Sequence, residues 1–318
     1  MKETLKIQIL FVGHLRGTTH LKDFKKFFEL LDVERINKEL NTNYKKIDFD
    51  YYLYTYPEIQ FKQKILEYGK TKYPELYKEY TVEDFYIWLN EFKNAFDFKK
   101  IVIDDHVKTE TDIMYKKYAD ESNTDSDRVY TDIYDGEKVY SGYQFFKHEK
   151  MSLLIDENAD LVFKIRPDLI FNFDRNNIQN TINVVNDNFI KVLKDDTKSV
   201  YLNFYHSGCG GLQRAGDYYH LGSPENMKLL FNDIALNNLN IHKEFTYLDK
   251  NKFPTIWKYL EPFVACHHLE VRHLLNSTLN KIDIKTIWFP HMLLYIYVPY
   301  EKNYDGKITY HTIHDLPF

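Results

Sequence analysis

Residues Asp160 to Phe171 read Asp-Leu-Val-Phe-Lys-Ile-Arg-Pro-Asp-Leu-Ile-Phe, and no other stretch limits the fold as much. Leu161, Val162, Phe163 and Ile165 form a strand-like apolar run that ends on Arg166-Pro167-Asp168, after which apolar residues resume at Leu169. A buried strand that delivers a charged pair at its C-terminal end is how open α/β sheets present chemistry to a ligand. Pro167 removes a ladder donor and pushes its predecessor out of helical geometry, so the strand finishes or bulges there. Arg166 suits a phosphate, and Asp168 suits a divalent cation or a sugar hydroxyl. The plain alternative is a buried ion pair that pins the strand end.

The start of the chain shows the same design. Lys6 to Val12 is a short apolar run bounded by Gly13 and reads as a central first strand. Gly13-His14-Leu15-Arg16-Gly17-Thr18-Thr19 follows, and Leu21, Phe24, Phe28 and Leu31 then recur at helical spacing. Strand, glycine-flanked loop and helix together place backbone N–H groups where an anion can bind. The pattern is neither the three-glycine dinucleotide fingerprint nor a P-loop. His14, Arg16 and Thr18 are positioned to meet a pyrophosphate or a base, unless the segment is a plain strand-to-helix turn. Phe49 to Tyr56 is β-prone and ends at Pro57, with Thr55 at its ligand-facing end. Thr81 caps the next helix with Asp84 three residues on, and Val82, Phe85, Leu89, Phe92 and Phe96 form its core stripe. Lys100 to Ile103 gives a third strand, leaving through Asp104-Asp105-His106, which reads as a polar turn more readily than a metal site.

Residues 107–139 are polar and irregular and contain Asp125-Ser126-Asp127; a loop this long is a candidate lid. Ser141 to Asn158 reads as a helix with Tyr143, Phe146, Leu153 and Leu154 on one face. Asp174 to Asp196 alternates Ile/Val with Asn/Asp and reads only as a weak strand or short helix. Val200 to Tyr205 is a strand entering the glycine-rich loop His206 to Gly211, where the backbone can approach a ligand closely. Gly216 to Met227 is the second informative stretch: Ser223 is an N-cap, Pro224 fits the first helical position, and Met227, Leu230, Phe231 and Ile234 continue as a buried face. Histidines 267, 268 and 273, in a helix opened by Pro262, lack firm ligand geometry. Lys285 to Tyr300 supplies one or two closing strands.

A chain of 318 residues, 44% apolar and 28% charged, can bury a large core, and no repeat or linker divides it. Residues 1–318 therefore read as one α/β domain with an insertion or lid at about 107–139. A net charge of −5 and a pI near 6.2 argue against a general nucleic-acid binder. Cys209 and Cys266 lack metal-site spacing and suit a reducing compartment. Lys2, Glu3 and Lys6 break up any secretory start, and no run approaches the roughly 18 apolar residues of a membrane span. The expected localisation is cytoplasmic.

In order along the chain, Gly13-His14-Leu15-Arg16, Tyr54-Thr55-Tyr56, Arg166-Pro167-Asp168 and Gly216-Asp217 through Ser223 resemble nucleotide-sugar glycosyltransferases of the GT-A type. The resemblance is narrower to bacterial and large-virus enzymes of lipopolysaccharide and capsule synthesis, the WavE-like group among them. Glu270 stands where a further motif would fall, without its preceding Pro. The resemblance implies a single GT-A-like (Rossmann-like) domain, with a mostly parallel central sheet flanked by helices. It also implies transfer of a sugar from a nucleoside diphosphate donor to a carbohydrate or glycolipid acceptor, with no nucleic acid involved and peripheral membrane association compatible. Gly13, His14, Arg16, Thr55, Arg166 and Asp168 would bind the donor, with Mn²⁺ or Mg²⁺ on Asp168. Asp217 is the first candidate base and Glu270 the second. The family's Asp-x-Asp is replaced by Arg166-Pro167-Asp168, so a guanidinium stands where a cation's ligand would. The competing expectations are a fucosyltransferase-like GT-B enzyme, built of two Rossmann halves, and a non-catalytic carbohydrate-binding protein.

Overall fold

The computed structural model describes residues 2–15, 17–18, 20–57, 81–106, 113, 131–134, 137–140, 143–171, 178–206, 213–232, 281–289 and 291–293. Along the chain its strands are β1 (Thr4–Val12), β2 (Lys46–Thr55), β3 (Phe98–Ile103), β4 (Thr131–Tyr134), β5 (Glu137–Tyr140), β6 (Leu161–Ile165), β7 (Leu169–Phe171), β8 (Ser199–His206), β9 (Gln213–Gly222), β10 (Asp283–Ile287) and β11 (His291–Leu293). The helices are α1 (Leu21–Glu29), α2 (Val33–Leu40), α3 (Val82–Ala95), α4 (Tyr143–Ser152), α5 (Ile178–Leu193) and α6 (Pro224–Phe231).

Seven strands form one sheet in the order β3-β2-β1-β6-β9-β8-β10. β9 alone runs antiparallel to its neighbours β6 and β8; every other pairing is parallel. Numbering only these strands along the chain, the order is 3-2-1-4-6-5-7. The first four share the doubly wound order of dinucleotide-binding sheets, and the inserted antiparallel strand departs from it. β7 pairs with β11, and β4 with β5 in a hairpin. The hairpin and the first residues of α4 thus lie where sequence reading expected irregular chain or a single longer helix.

Helices cover both faces, which is why β1 and β6 are apolar almost throughout. On the first face, Phe24, Phe27 and Phe28 of α1, Phe85, Leu89 and Phe92 of α3, and Val185 and Phe189 of α5 bury Ile7, Ile9, Phe11 and Phe163. Phe27 stacks on Phe171 with ring centroids 3.7 Å apart. On the second face, Met151 of α4 and Met227, Leu230 and Phe231 of α6 cover Leu10, Val12, Tyr54, Val162 and Leu202. Buried Gln8 of β1 donates to Leu154 O at 2.7 Å and accepts from Asp156 N at 2.9 Å, which ties down the turn after α4.

Local chemistry sets the helix ends as expected at α3 and α6. Thr81 and Asp84 form a reciprocal capping box, and Ser223 accepts from Asn226 N with Pro224 at the first helical position. Other expectations fail. Val82 is 56% exposed and Leu153 83% exposed, so neither belongs to the core. Leu31 does not continue the first helix: Asp32 caps a second one, accepting from Glu34 N and Arg35 N. The poorly read stretch 174–196 contains the 16-residue α5, whose polar Thr181 and Asn186 are buried. Among the described residues, no helix is long and apolar enough to cross a membrane.

Candidate functional site

Sheet order brings two loops side by side. From β1 the chain passes by way of the first face to β2 and β3, then returns by way of α4 on the second face to β6, on the other side of β1. The loops that leave β1 and β6 both turn to the first face, where α1, β7 and α5 pack, so they lie side by side beyond the C-terminal ends of adjacent parallel strands, where open α/β sheets bind ligands. Those two loops are Gly13-His14-Leu15 and Arg166-Pro167-Asp168.

The Arg166 side is built as a fork. Nε of Arg166 donates to Asp168 Oδ1 at 2.9 Å and Nη2 donates to Oδ2 at 2.8 Å, a bidentate pair. The Asp168 side chain is 3% exposed and that of Arg166 18%, so the acid is the anchor and the guanidinium the part that reaches the edge. Arg166 N donates to Tyr218 O at 3.0 Å, and the guanidinium carbon lies 5.7 Å from the Tyr218 ring centre. Leu169 N returns to Arg166 O at 3.2 Å and closes the turn. A cation on Asp168 would have to share its oxygens with this pair, and among the described residues no group of three His, Cys, Asp or Glu side chains is placed to hold one.

The Gly13 side packs directly on that turn. Gly13 has φ +132°, a backbone state closed to most L residues, and its N–H donates to Tyr54 O at 3.1 Å. A Cβ there would lie 3.5 Å from Pro167 Cδ. His20, at the N-cap of α1 and 1% exposed, places Nε2 2.5 Å from Pro167 O. Burial pushes its imidazole down to about 4, against the opposing pull of the Pro167 bond and the Asp168 charge.

Thr55 is fully buried, its Oγ1 without a hydrogen-bond partner among the described residues, so it lies behind the edge and does not line it. His14 sits edge-on to Tyr56, ring centroids 3.9 Å apart. The backbone of Asp217 belongs to β9, next to Tyr218, and so comes to the same edge as Arg166. Arg16, Glu270, the loop 207–212, Asp125 and Asp127, both cysteines and histidines 267, 268 and 273 lie outside the described residues.

Sequence reading missed the contribution of α4. Lys147, 7% exposed, lies 3.7 Å over the Tyr56 ring, and Lys150 donates to Asp104 Oδ2 at 3.1 Å. Tyr54 also donates to that carboxylate. Burial opposes ionisation of Asp104, yet the bonds from Tyr54, His106 and Lys150 hold its carboxyl below its ordinary value. Asp104 is thus a tie between β2, β3 and α4. The one available signal was the spacing of Lys147 and Lys150, which puts both on one helical face.

The sheet and its edge define an α/β protein with a glycine and a carboxylate-held guanidinium at the C-terminal ends of two adjacent parallel strands. No family model matches the sequence, and no curated protein matches it. Among solved structures, the apo form of mouse xyloside xylosyltransferase 1 is similar with a TM-score of 0.37 and 9% identity, over 89% of this chain and 85% of that one.

Proposed function

We propose that the protein is a glycosyltransferase that moves a sugar from a nucleoside diphosphate donor to a hydroxyl of a carbohydrate or glycolipid acceptor, in surface glycan synthesis. The observation that carries this reading is the pairing, at the C-terminal ends of β1 and β6, of a glycine loop with a guanidinium held in a carboxylate fork. A diphosphate is the ligand we assign to these loops, since a planar guanidinium matches its oxygens and a held one stabilises leaving charge with little reorganisation. In the reaction the anomeric carbon–oxygen bond to the diphosphate breaks, and a bond to the acceptor oxygen forms. The acceptor proton passes to a carboxylate, and the nucleoside diphosphate leaves with the bonding electrons. Arg166 would stabilise that leaving charge, and Gly13, His14 and Arg16 are the further donor-binding residues we assign. Asp217 is the preferred base because its backbone shares the Arg166 edge; Glu270 is the second choice. Asp168 orients Arg166, and the proposal does not depend on a metal. A GT-B arrangement is not favoured, since β1–β3 and β8–β10 join one sheet.

The test is a thermal-shift panel of nucleotides and nucleotide sugars, followed by donor hydrolysis in water. At least one UDP- or GDP-sugar should raise Tm and be hydrolysed slowly. Arg166→Ala should lower kcat/KM by roughly a hundredfold, the size of one lost charge-stabilising contact. A chain that neither binds nor hydrolyses any nucleotide sugar, or an Arg166→Ala protein with full turnover, would refute the assignment.

A further inference from the structure

We propose that His20 is the positioning residue of this site: its Nε2–H donates to Pro167 O and locks the Arg166–Asp168 turn against the loop that follows β1. The inference rests on the proposed function for its catalytic consequence, but its geometry stands independently. Pro167 O is an acceptor only, so the facing Nε2 must carry the proton. Nδ1 is buried and has no hydrogen-bond partner among the described residues. A bare lone pair tolerates that position better than a second N–H would. The ring is wedged between Phe24 and Phe92, centroids 5.3 and 6.3 Å away, so it has little room to rotate out of line.

The bond joins residues 147 apart in sequence and ties the segment after β1 to the turn after β6. Pro167 is bonded at its carbonyl by His20, and its ring faces Gly13, where an added Cβ would come within ordinary contact, 3.5 Å. The residues on either side of it, Arg166 and Asp168, form the fork. If the His20 bond is lost, the turn can shift without unfolding β6, and the guanidinium no longer points where a diphosphate would sit. A displacement of this kind, well short of unfolding, is enough to weaken a positioned charge.

The test compares the whole protein with His20→Leu, which removes the donor, and His20→Gln, which restores an amide donor of similar reach. The kinetic arm measures donor hydrolysis well below Tm. His20→Leu should lose about tenfold in kcat/KM, the scale of one oriented hydrogen bond, and His20→Gln should recover most of it. Equal damage in both variants, or wild-type kinetics in folded His20→Leu, would overturn the proposal. The second arm needs no substrate: hydrogen exchange should show residues 166–169 losing protection in His20→Leu while 161–165 keep theirs. Unchanged protection at 166–169 would overturn the lock, whatever the reaction. If the leucine protein does not fold, the imidazole ¹⁵N shifts of the unaltered chain decide instead, with Nε2 protonated and Nδ1 bare in support and the reverse tautomer against. A wild-type protein that turns over no donor removes the proposed function, and the exchange arm still decides on His20.

Discussion

Replacing Asp168 should destabilise the protein by more than its small exposed area suggests, because it strands a guanidinium. The carboxylate is 3% exposed and both its oxygens accept from Arg166. Removing one partner of a buried pair typically costs about 3–5 kcal/mol, most of it the uncompensated charge left behind. Arg166 keeps 18% of its side chain exposed and can turn outward, which places Asp168→Ala at the low end, about 3 kcal/mol. Asp168→Asn keeps the shape and one acceptor but sets an amide N–H₂ against the fork, for about 2 kcal/mol. The double variant Arg166→Met/Asp168→Leu buries no charge, so it should be more stable than the sum of its parts by roughly 1–3 kcal/mol.

Urea titrations at pH 7 of the wild type, these three variants and the single variants Arg166→Met and Asp168→Leu measure these differences directly, with m expected to stay constant. A loss below about 1 kcal/mol in Asp168→Ala, or additivity in the cycle, would refute the view that the acid exists to hold the guanidinium. The same samples test the competing role. A cation bound by Asp168 would stabilise the wild type in proportion to its occupancy, and the gain would vanish in Asp168→Asn. The expected result is no Asp168-dependent shift in Tm on adding Mn²⁺ or Mg²⁺.

Two further outcomes follow from the packing. Asn186, fully buried in α5, accepts from Asp32 N and donates to Leu30 O, each at 2.8 Å, and so splices the break between α1 and α2. Asn186→Ala should cost roughly 2–4 kcal/mol in a urea titration, and a loss under about 1 would mean those backbone groups find water instead. Burial alone would raise the Asp195 carboxyl, but bonds from Lys285, Ser199, Thr197 and Tyr201 outweigh it and hold the group far below the carboxylate range. A depressed acid contributes stability that is fully present above its unfolded value near 3.9 and is lost as pH falls below it. Between about pH 4 and 2, thermal unfolding should therefore show the wild type losing stability more steeply than Asp195→Asn, and parallel curves would count against the knot.

What the sequence disclosed of this design follows from which interactions are local. Apolar runs, a capping box at Thr81 and Asp84, and a proline behind Ser223 depend on neighbours within a few residues, and each was readable. The α1–α2 break and α5 were not, because their logic is tertiary: Asn186 looks like a helix-weakening residue until Leu30 and Asp32 are beside it. The candidate site divides in the same way. Arg166-Pro167-Asp168 stood out because a strand cannot easily continue through Pro, and Gly13 because a strand stopped there. That the two loops face each other depends on β6 pairing with β1 across a chain separation of more than a hundred residues, which no local pattern encodes. His20 illustrates the limit most sharply. In sequence it is one polar residue before an amphipathic helix, with nothing to distinguish it from a solvated cap. Only when β6 is laid beside β1 does Pro167 O come within 2.5 Å, and a helix-start histidine becomes the part that fixes the guanidinium's aim.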